Sequence, residues 1–198
     1  NEYICNRFNQ LTLVGVIFIK DEIREESVEG VKLVQEAHIQ TVMITGDNKD
    51  TAVAIAKEVG IITSNNDIAL TSGELNSKTD DEICEILPRI KVISRSLPQD
   101  KSRIVKIAQN AGMVVGMTGD GVNDAPALKK ADVGFAMGSG TEVSKEASDI
   151  VIMDDNFLSI SKAILFGRTI FKSIRKFVIV QLTINMCAIS LSIICPFI

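Results

Sequence analysis

Short apolar runs alternate with stretches whose apolar residues recur every three to four positions, and the alternation continues for most of the chain. Residues 10–19, Gln-Leu-Thr-Leu-Val-Gly-Val-Ile-Phe-Ile, read as a strand. Lys20, Asp21 and Glu22 open a helix whose Val28, Val31, Val34 and Ala37 keep close to the helical period, with His38 on it. Residues 41–44 form a short strand and Thr45-Gly46-Asp47-Asn48 a turn. Asp50 or Thr51 caps the next helix, which Gly60 stops in the left-handed conformation glycine tolerates. Residues 63–82 are polar and weakly patterned, a surface loop with one strand near 68–70. A short helix over 80–87, a strand over 91–94 and a helix from Pro98 to Gly112 follow. The apolar run 113–117 reads as a buried strand; strands over 132–137 and 149–153 flank a short helix over 142–147. Strands and helices in alternation with short links predict an α/β fold, a parallel sheet with helices on both faces.

From Asn156 the pattern changes. Arg168, Lys172, Arg175 and Lys176 recur at helical spacing, and no charged residue follows Lys176. About 21 uncharged residues at ~1.5 Å each give roughly 31 Å of helix, enough to cross a hydrocarbon core of about 30 Å. The basic residues place the preceding body, through residue 177, on the cytoplasmic side. Within this span Gln181, Asn185, Ala188 and Ser192 share one face, while Thr183 and Ser190 lie opposite and can bond back to their own helix. An amide face inside a membrane is costly unless it packs inward or lines an ion path, which makes Asn185 a functional candidate; an interhelical hydrogen bond is the plainer alternative.

The densest polar feature ends the run 113–117: Thr118-Gly119-Asp120-Gly121-Val122-Asn123-Asp124-Ala125-Pro126. Pro126 suits the first turn of a helix. Asp120 and Asp124 then sit at the carboxyl edge of a parallel sheet, where such folds bind ligands. Carboxylates there suit Mg²⁺, which takes one or two of them together with waters and phosphate. A plain turn with Asp and Asn as caps accounts for one acidic residue, not for two beside two glycines. Val42-Met-Ile-Thr-Gly-Asp-Asn echoes Val115-Gly-Met-Thr-Gly-Asp-Gly. Each strand ends in Thr-Gly-Asp before a helix N-terminus, a setting that favours phosphate.

Composition removes several alternatives. The 198 residues carry a net charge of −4, so nothing points to nucleic acid. The single histidine argues against a His-based zinc site or a Ser-His-Asp triad. Cys5, Cys84, Cys187 and Cys195 have no metal-ligand spacing and suit a reduced environment without disulfides. The chain starts at Asn1 without a signal peptide and stops in an apolar stretch, and both ends read as cuts through a longer chain.

Thr45-Gly46-Asp47, Lys101 and residues 118–126, continued by 127–137 and Ser139-Gly140-Thr141, resemble the phosphorylation domain of P-type cation-transporting ATPases, and the resemblance covers nearly the whole chain. It implies a Rossmannoid haloacid-dehalogenase-like domain over 20–166. Residues 1–19 would be the terminal strand of the nucleotide-binding domain, 167–177 a basic stalk and 178–198 a transmembrane helix. It implies transfer of the ATP γ-phosphoryl group to an Asp, with Mg²⁺ as cofactor. Asp120 would ligate Mg²⁺. Asp124 would support that site, through Mg²⁺-bound water or by orienting Lys101. Lys101 would meet the phosphoryl oxygens; Thr45, Gly46 and Asn123 would donate to them. Asp47 and Arg95 resemble positions near the nucleotide, and Asp21 a hinge, although a surface charge and an N-cap describe Arg95 and Asp21 equally well. The tail, Gln181-Leu182-Thr183-Ile184-Asn185 with Ala188, resembles the fifth membrane helix of plasma-membrane-type calcium pumps, and by that resemblance Asn185 would be a Ca²⁺ ligand. The partners implied are ATP, Ca²⁺, the bilayer and the remaining domains of a multi-pass pump. The family's Asp-Lys-Thr-Gly-Thr nucleophile motif does not occur here, so the chain alone is expected to be inactive. A K⁺ or H⁺ pump, a soluble haloacid-dehalogenase-type phosphatase and a non-catalytic membrane-anchored domain are the competing readings.

Overall fold

The computed structural model describes residues 22–195. The strand expected over 10–19, and Asp21, lie outside them. The elements, in order, are α1 (Glu25–Glu36), β1 (Met43–Ile44), α2 (Lys49–Glu58), β2 (Ile68–Thr71), α3 (Ser72–Asn76), α4 (Asp80–Ile86), β3 (Ile90–Ser94), α5 (Pro98–Asn110), β4 (Gly116–Gly119), α6 (Ala125–Leu128), β5 (Val133–Met137), α7 (Glu142–Glu146), β6 (Ile150–Ile152) and α8 (Phe157–Ile194).

Every described strand pairing is parallel, in two ladders of order β1-β3-β2 and β4-β5-β6. Among the described residues no ladder joins β1 to β4. The side chains of β3, whose pairing with β2 shifts register between Ile90 and Val92, show how both faces are covered. Ile90 and Ile93 pack with Leu75, Ile83, Ile104 and Ile107 of α3, α4 and α5. Val92 points the other way, onto Val31 of α1 and Ala52 and Ala56 of α2. In the second ladder Met117 packs with Val105, Ala127 and Leu128, while Phe135 and Ile152 meet Ile160 of α8. The expected sheet with helices on both faces is therefore present.

Four local expectations need correction. The strand drawn over 113–117 lies at Gly116–Gly119 instead. Val114 is 85% exposed and Met113 40%, and the Val115 N–H is taken by the Asp132 carboxylate rather than by a ladder. The polar stretch 63–82 holds a second helix: Thr71 and Glu74 form a reciprocal capping box that starts α3, as Thr79 and Glu82 do for α4. The cap of α2 is Asn48, whose side chain accepts the Asp50 N–H, not Asp50 or Thr51. His38 is not on a helix; it follows the end of α1 with φ 59°. That conformation crowds a Cβ and costs about 1–2 kcal/mol in a residue other than glycine. His38→Gly is therefore expected to raise stability by about 0.5–1 kcal/mol, after glycine's own entropy cost, read as an increase in the thermal midpoint.

α8 runs without a break from Phe157, inside the body, through Gly167 and Lys176 to Ile194. Asn156 caps its start by accepting the Leu158 N–H. Its first turns press against α1 so closely that a Cβ on Gly30 would lie 3.0 Å from the Leu158 nitrogen. Three turns further on, Arg168 donates to the Ala37 carbonyl at the carboxyl end of α1, where a cation also complements the helix dipole. Beyond that, α8 is exposed on all sides, and it is long and apolar enough to cross a membrane. Thr183 donates back to Ile179 as expected, and Ser192 does the same to Ala188.

Candidate functional site

Two turns with the same Thr-Gly-Asp composition stand at the carboxyl ends of β1 and β4. In the first, the Thr45 N–H donates to the Ile93 carbonyl, 2.9 Å, and keeps the turn on the strand. The Thr45 hydroxyl donates to the Asp47 carboxylate, 2.8 Å, and accepts the Asp47 N–H, 3.2 Å. The segment after β3 clamps this turn from the side. Arg95 N–H meets the Asp47 carbonyl at 2.9 Å, and Ser96 donates to the Thr45 carbonyl through its N–H at 3.0 Å and its hydroxyl at 3.1 Å. Gly46 N–H has no partner among the described residues, and a Cβ at Gly46 would meet nothing within 4 Å. An unpaired backbone donor on an exposed residue is what an anion needs.

The second turn is built around Asp124, which is 6% exposed. One of its oxygens takes the Lys101 ammonium at 2.5 Å; the other faces the N–H groups of Asp120 and Gly121, both at 3.4 Å. Gly119 makes this possible, because a Cβ there would lie 2.4 Å from the Asp124 Cβ. The Asp120 carbonyl is fixed by the Thr141 N–H, 2.8 Å, and the Ser144 hydroxyl, 3.1 Å. Its carboxylate is exposed, and among the described residues nothing bonds to it. The Asn123 side chain is exposed in the same way.

Lys101 owes its place to the residue before it. Asp100 is 3% exposed and accepts from Leu97 N–H, the Ser72 hydroxyl and the Asn76 amide, so the start of α5 is locked to α3. Burial alone would raise the Asp100 carboxyl. Its bonds from Ser72, Leu97 and Asn76, with Arg103 nearby, outweigh burial and hold it below the usual carboxylate range.

Among the described residues no cluster of three or more His, Cys, Asp or Glu side chains could enclose a metal. An all-protein cage is thus not offered. The free Asp120 carboxylate fits an ion such as Mg²⁺, which keeps several waters and takes few protein ligands. Asp124 is committed to Lys101 and the turn, so of its two expected roles the geometry favours orienting the lysine.

Thr45, Gly46, Asp47 and Arg95 are thus assembled at one strand end, Lys101, Asp120, Asn123 and Asp124 at the other, and residues 95–101 join the two. Asn185 is not brought to either turn. It lies on α8, about 42 Å along the helix from Phe157. Sequence reasoning missed Ser96 and Asp100. An acidic residue three positions after Leu97 is a readable helix-start signal for Asp100. Ser96 acts on a residue 51 positions away, and nothing in its neighbours announces that.

A sequence model described as haloacid dehalogenase-like hydrolase matches residues 4–132, and a second of the same description matches 102–164. Calcium-transporting ATPase 2 of Schizosaccharomyces pombe is 50% identical over 94% of this chain, which spans 14% of that protein. Calcium-transporting ATPase 1 of Lactococcus lactis is 46% identical over 91% of the chain, which spans 20% of it. A probable plasma membrane-type calcium-transporting ATPase 6 of Oryza sativa is 48% identical over 90% of the chain, which spans 18% of it. Among solved structures, a zinc-transporting PIB-type ATPase in the E2.Pi state aligns with TM-score 0.61 and 28% identity, over 79% of this chain and 21% of that one. The catalytic domain of the CPx-ATPase CopB-B aligns with TM-score 0.55 and 26% identity, over 73% of this chain and 46% of that one.

Proposed function

Because the chain belongs to the haloacid dehalogenase-like hydrolase family, we propose that it is the carboxyl-terminal part of the phosphorylation domain, with one membrane helix, of an ATP-driven Ca²⁺ pump that works through an aspartyl phosphate. The observation that carries this reading is the pairing at the second turn: Asp124 holds Lys101, and Asp120 is left free beside them. The calcium-transporting relatives support the choice of ion.

In this reading the accepting Asp belongs to a segment of the parent chain before residue 1. The unpaired edges of β1 and β4, among the described residues, suit a strand that carries it between the two turns. Lys101 places a compact cation against the phosphoryl oxygens, where positioning and counter-charge do most of the work. Gly46 N–H and the Asn123 amide donate to the same oxygens. The Thr45 hydroxyl joins them by turning away from Asp47. Asp47 and Arg95 face the nucleotide. Asp120 would hold Mg²⁺, which when bound neutralises part of the phosphate charge. On the membrane side, α8 crosses the bilayer and the Asn185 amide oxygen is a hard ligand suited to Ca²⁺.

The test is phosphoenzyme formation in membranes carrying the full-length protein, supplied with ATP labelled at the γ-phosphoryl group. Ca²⁺ rather than K⁺ should stimulate labelling, and Asp120→Asn should lower it by at least about a hundredfold with the thermal midpoint unchanged, because the side chain takes no part in packing. Stimulation by K⁺ alone would discard the ion assignment, and normal Mg²⁺-dependent labelling of the variant would discard the role of Asp120.

A further inference from the structure

The carbonyl of Thr45 and the N–H of Gly46 belong to one peptide group. That group is planar and trans, so its C=O and N–H point in opposite directions. Whatever fixes the Thr45 carbonyl therefore also aims the Gly46 N–H. Ser96 fixes it twice, through its N–H at 3.0 Å and its hydroxyl at 3.1 Å. Two donors on one acceptor leave this peptide little freedom to rotate. They also draw electron density toward the carbonyl oxygen, which strengthens the opposite N–H as a donor.

The approach of Ser96 depends on a strained neighbour. Arg95 is held at φ 50°, a conformation that costs a residue other than glycine about 1–2 kcal/mol. Strain of this kind persists only where the surroundings impose it, and here the Arg95 N–H is bonded to the Asp47 carbonyl. Both peptide carbonyls flanking the Gly46–Asp47 unit are thus held from residues 95 and 96, while the N–H of the exposed Gly46 has no partner among the described residues.

We infer that Ser96 is a positioning residue that aims the Gly46 N–H at a phosphoryl oxygen. The inference rests on the reading of the turn as a phosphoryl site, and it adds a residue that never touches the phosphoryl group. Ser96→Ala removes the hydroxyl bond and keeps the N–H bond, so the turn loosens without losing its place. Ser96→Thr keeps both donors.

The experiment uses the full-length protein in membranes, with inorganic phosphate as the probe in the absence of Ca²⁺ and ATP as the probe in its presence. In Ser96→Ala the phosphate concentration needed for half-maximal phosphoenzyme should rise roughly three- to tenfold, the range expected for one hydrogen bond. The Ca²⁺ dependence and the thermal midpoint should stay at wild-type values, and Ser96→Thr should return the phosphate dependence to within about twofold. Wild-type phosphate dependence in the alanine variant would overturn the inference, as would equal impairment of alanine and threonine variants. A wild-type protein that accepts phosphate from neither probe would overturn the phosphoryl reading itself, and the inference with it.

Discussion

Gly119→Ala is expected to abolish phosphoenzyme formation in the full-length protein and to destabilise the domain by about 1–3 kcal/mol, the usual cost of an overpacked site. A methyl group there would lie 2.4 Å from the Asp124 Cβ and 2.9 Å from one of its oxygens. No rotation of a flexible tip relieves that contact, because the obstructing atoms begin at Cβ. Asp124 must move, and it carries Lys101 with it. The loss is therefore double: the turn over Asp120 and Gly121 loosens, and the cation leaves the mouth of the site. Labelling from ATP and the thermal midpoint should fall together. A variant that labels at the wild-type rate would show that the contact of Gly119 with Asp124 does not organise the site.

Lys101→Met should have a comparable effect on activity for a different reason. Both partners of the Lys101–Asp124 pair are mostly buried, with side-chain exposures of 18% and 9%. Removing the lysine leaves a carboxylate without its counter-charge, a change that costs about 3 kcal/mol at such sites. Pairing it with Asp124→Asn removes the stranded charge and should recover most of that stability. Phosphoryl transfer should not return, because the cation is still missing. The cycle separates structure from chemistry at one contact. If the double variant regained both, Lys101 would be a structural partner and nothing more.

The alternation of apolar runs made the sheet and its helices readable, because β5 is an unbroken apolar stretch and β3 is interrupted only by Lys91 and Ser94, as strands covered on both faces tend to be. The second turn was readable for a related reason: no packing demand explains Asp120, Asn123 and Asp124 among glycines. The misplaced strand shows the limit. Residues 113–115 are as apolar as a strand, and only the bond from Val115 to Asp132 shows that the ladder starts later. The helix Ser72–Asn76 was hidden because five residues are too few for a periodic pattern, although its capping box was written in Thr71 and Glu74. The bond of Thr45 to Asp47 and the clamp of Ser96 depend on side-chain rotamers and a left-handed Arg95, which neighbouring residue types do not reveal.

The contact of α1 with the start of α8 has a mechanical meaning. Gly30 and the Arg168–Ala37 bond give the long helix two bearings on the body, and past the second there is no further bearing among the described residues. Asn185 lies about 25 Å beyond Arg168, so a tilt of roughly 10° at the body sweeps it through about 4 Å. A lever with its short arm clamped amplifies small motions and passes them on without slack, since no proline interrupts the helix from Phe157 to Ile194. Stiffness over that length, rather than flexibility, is what the continuous helix contributes.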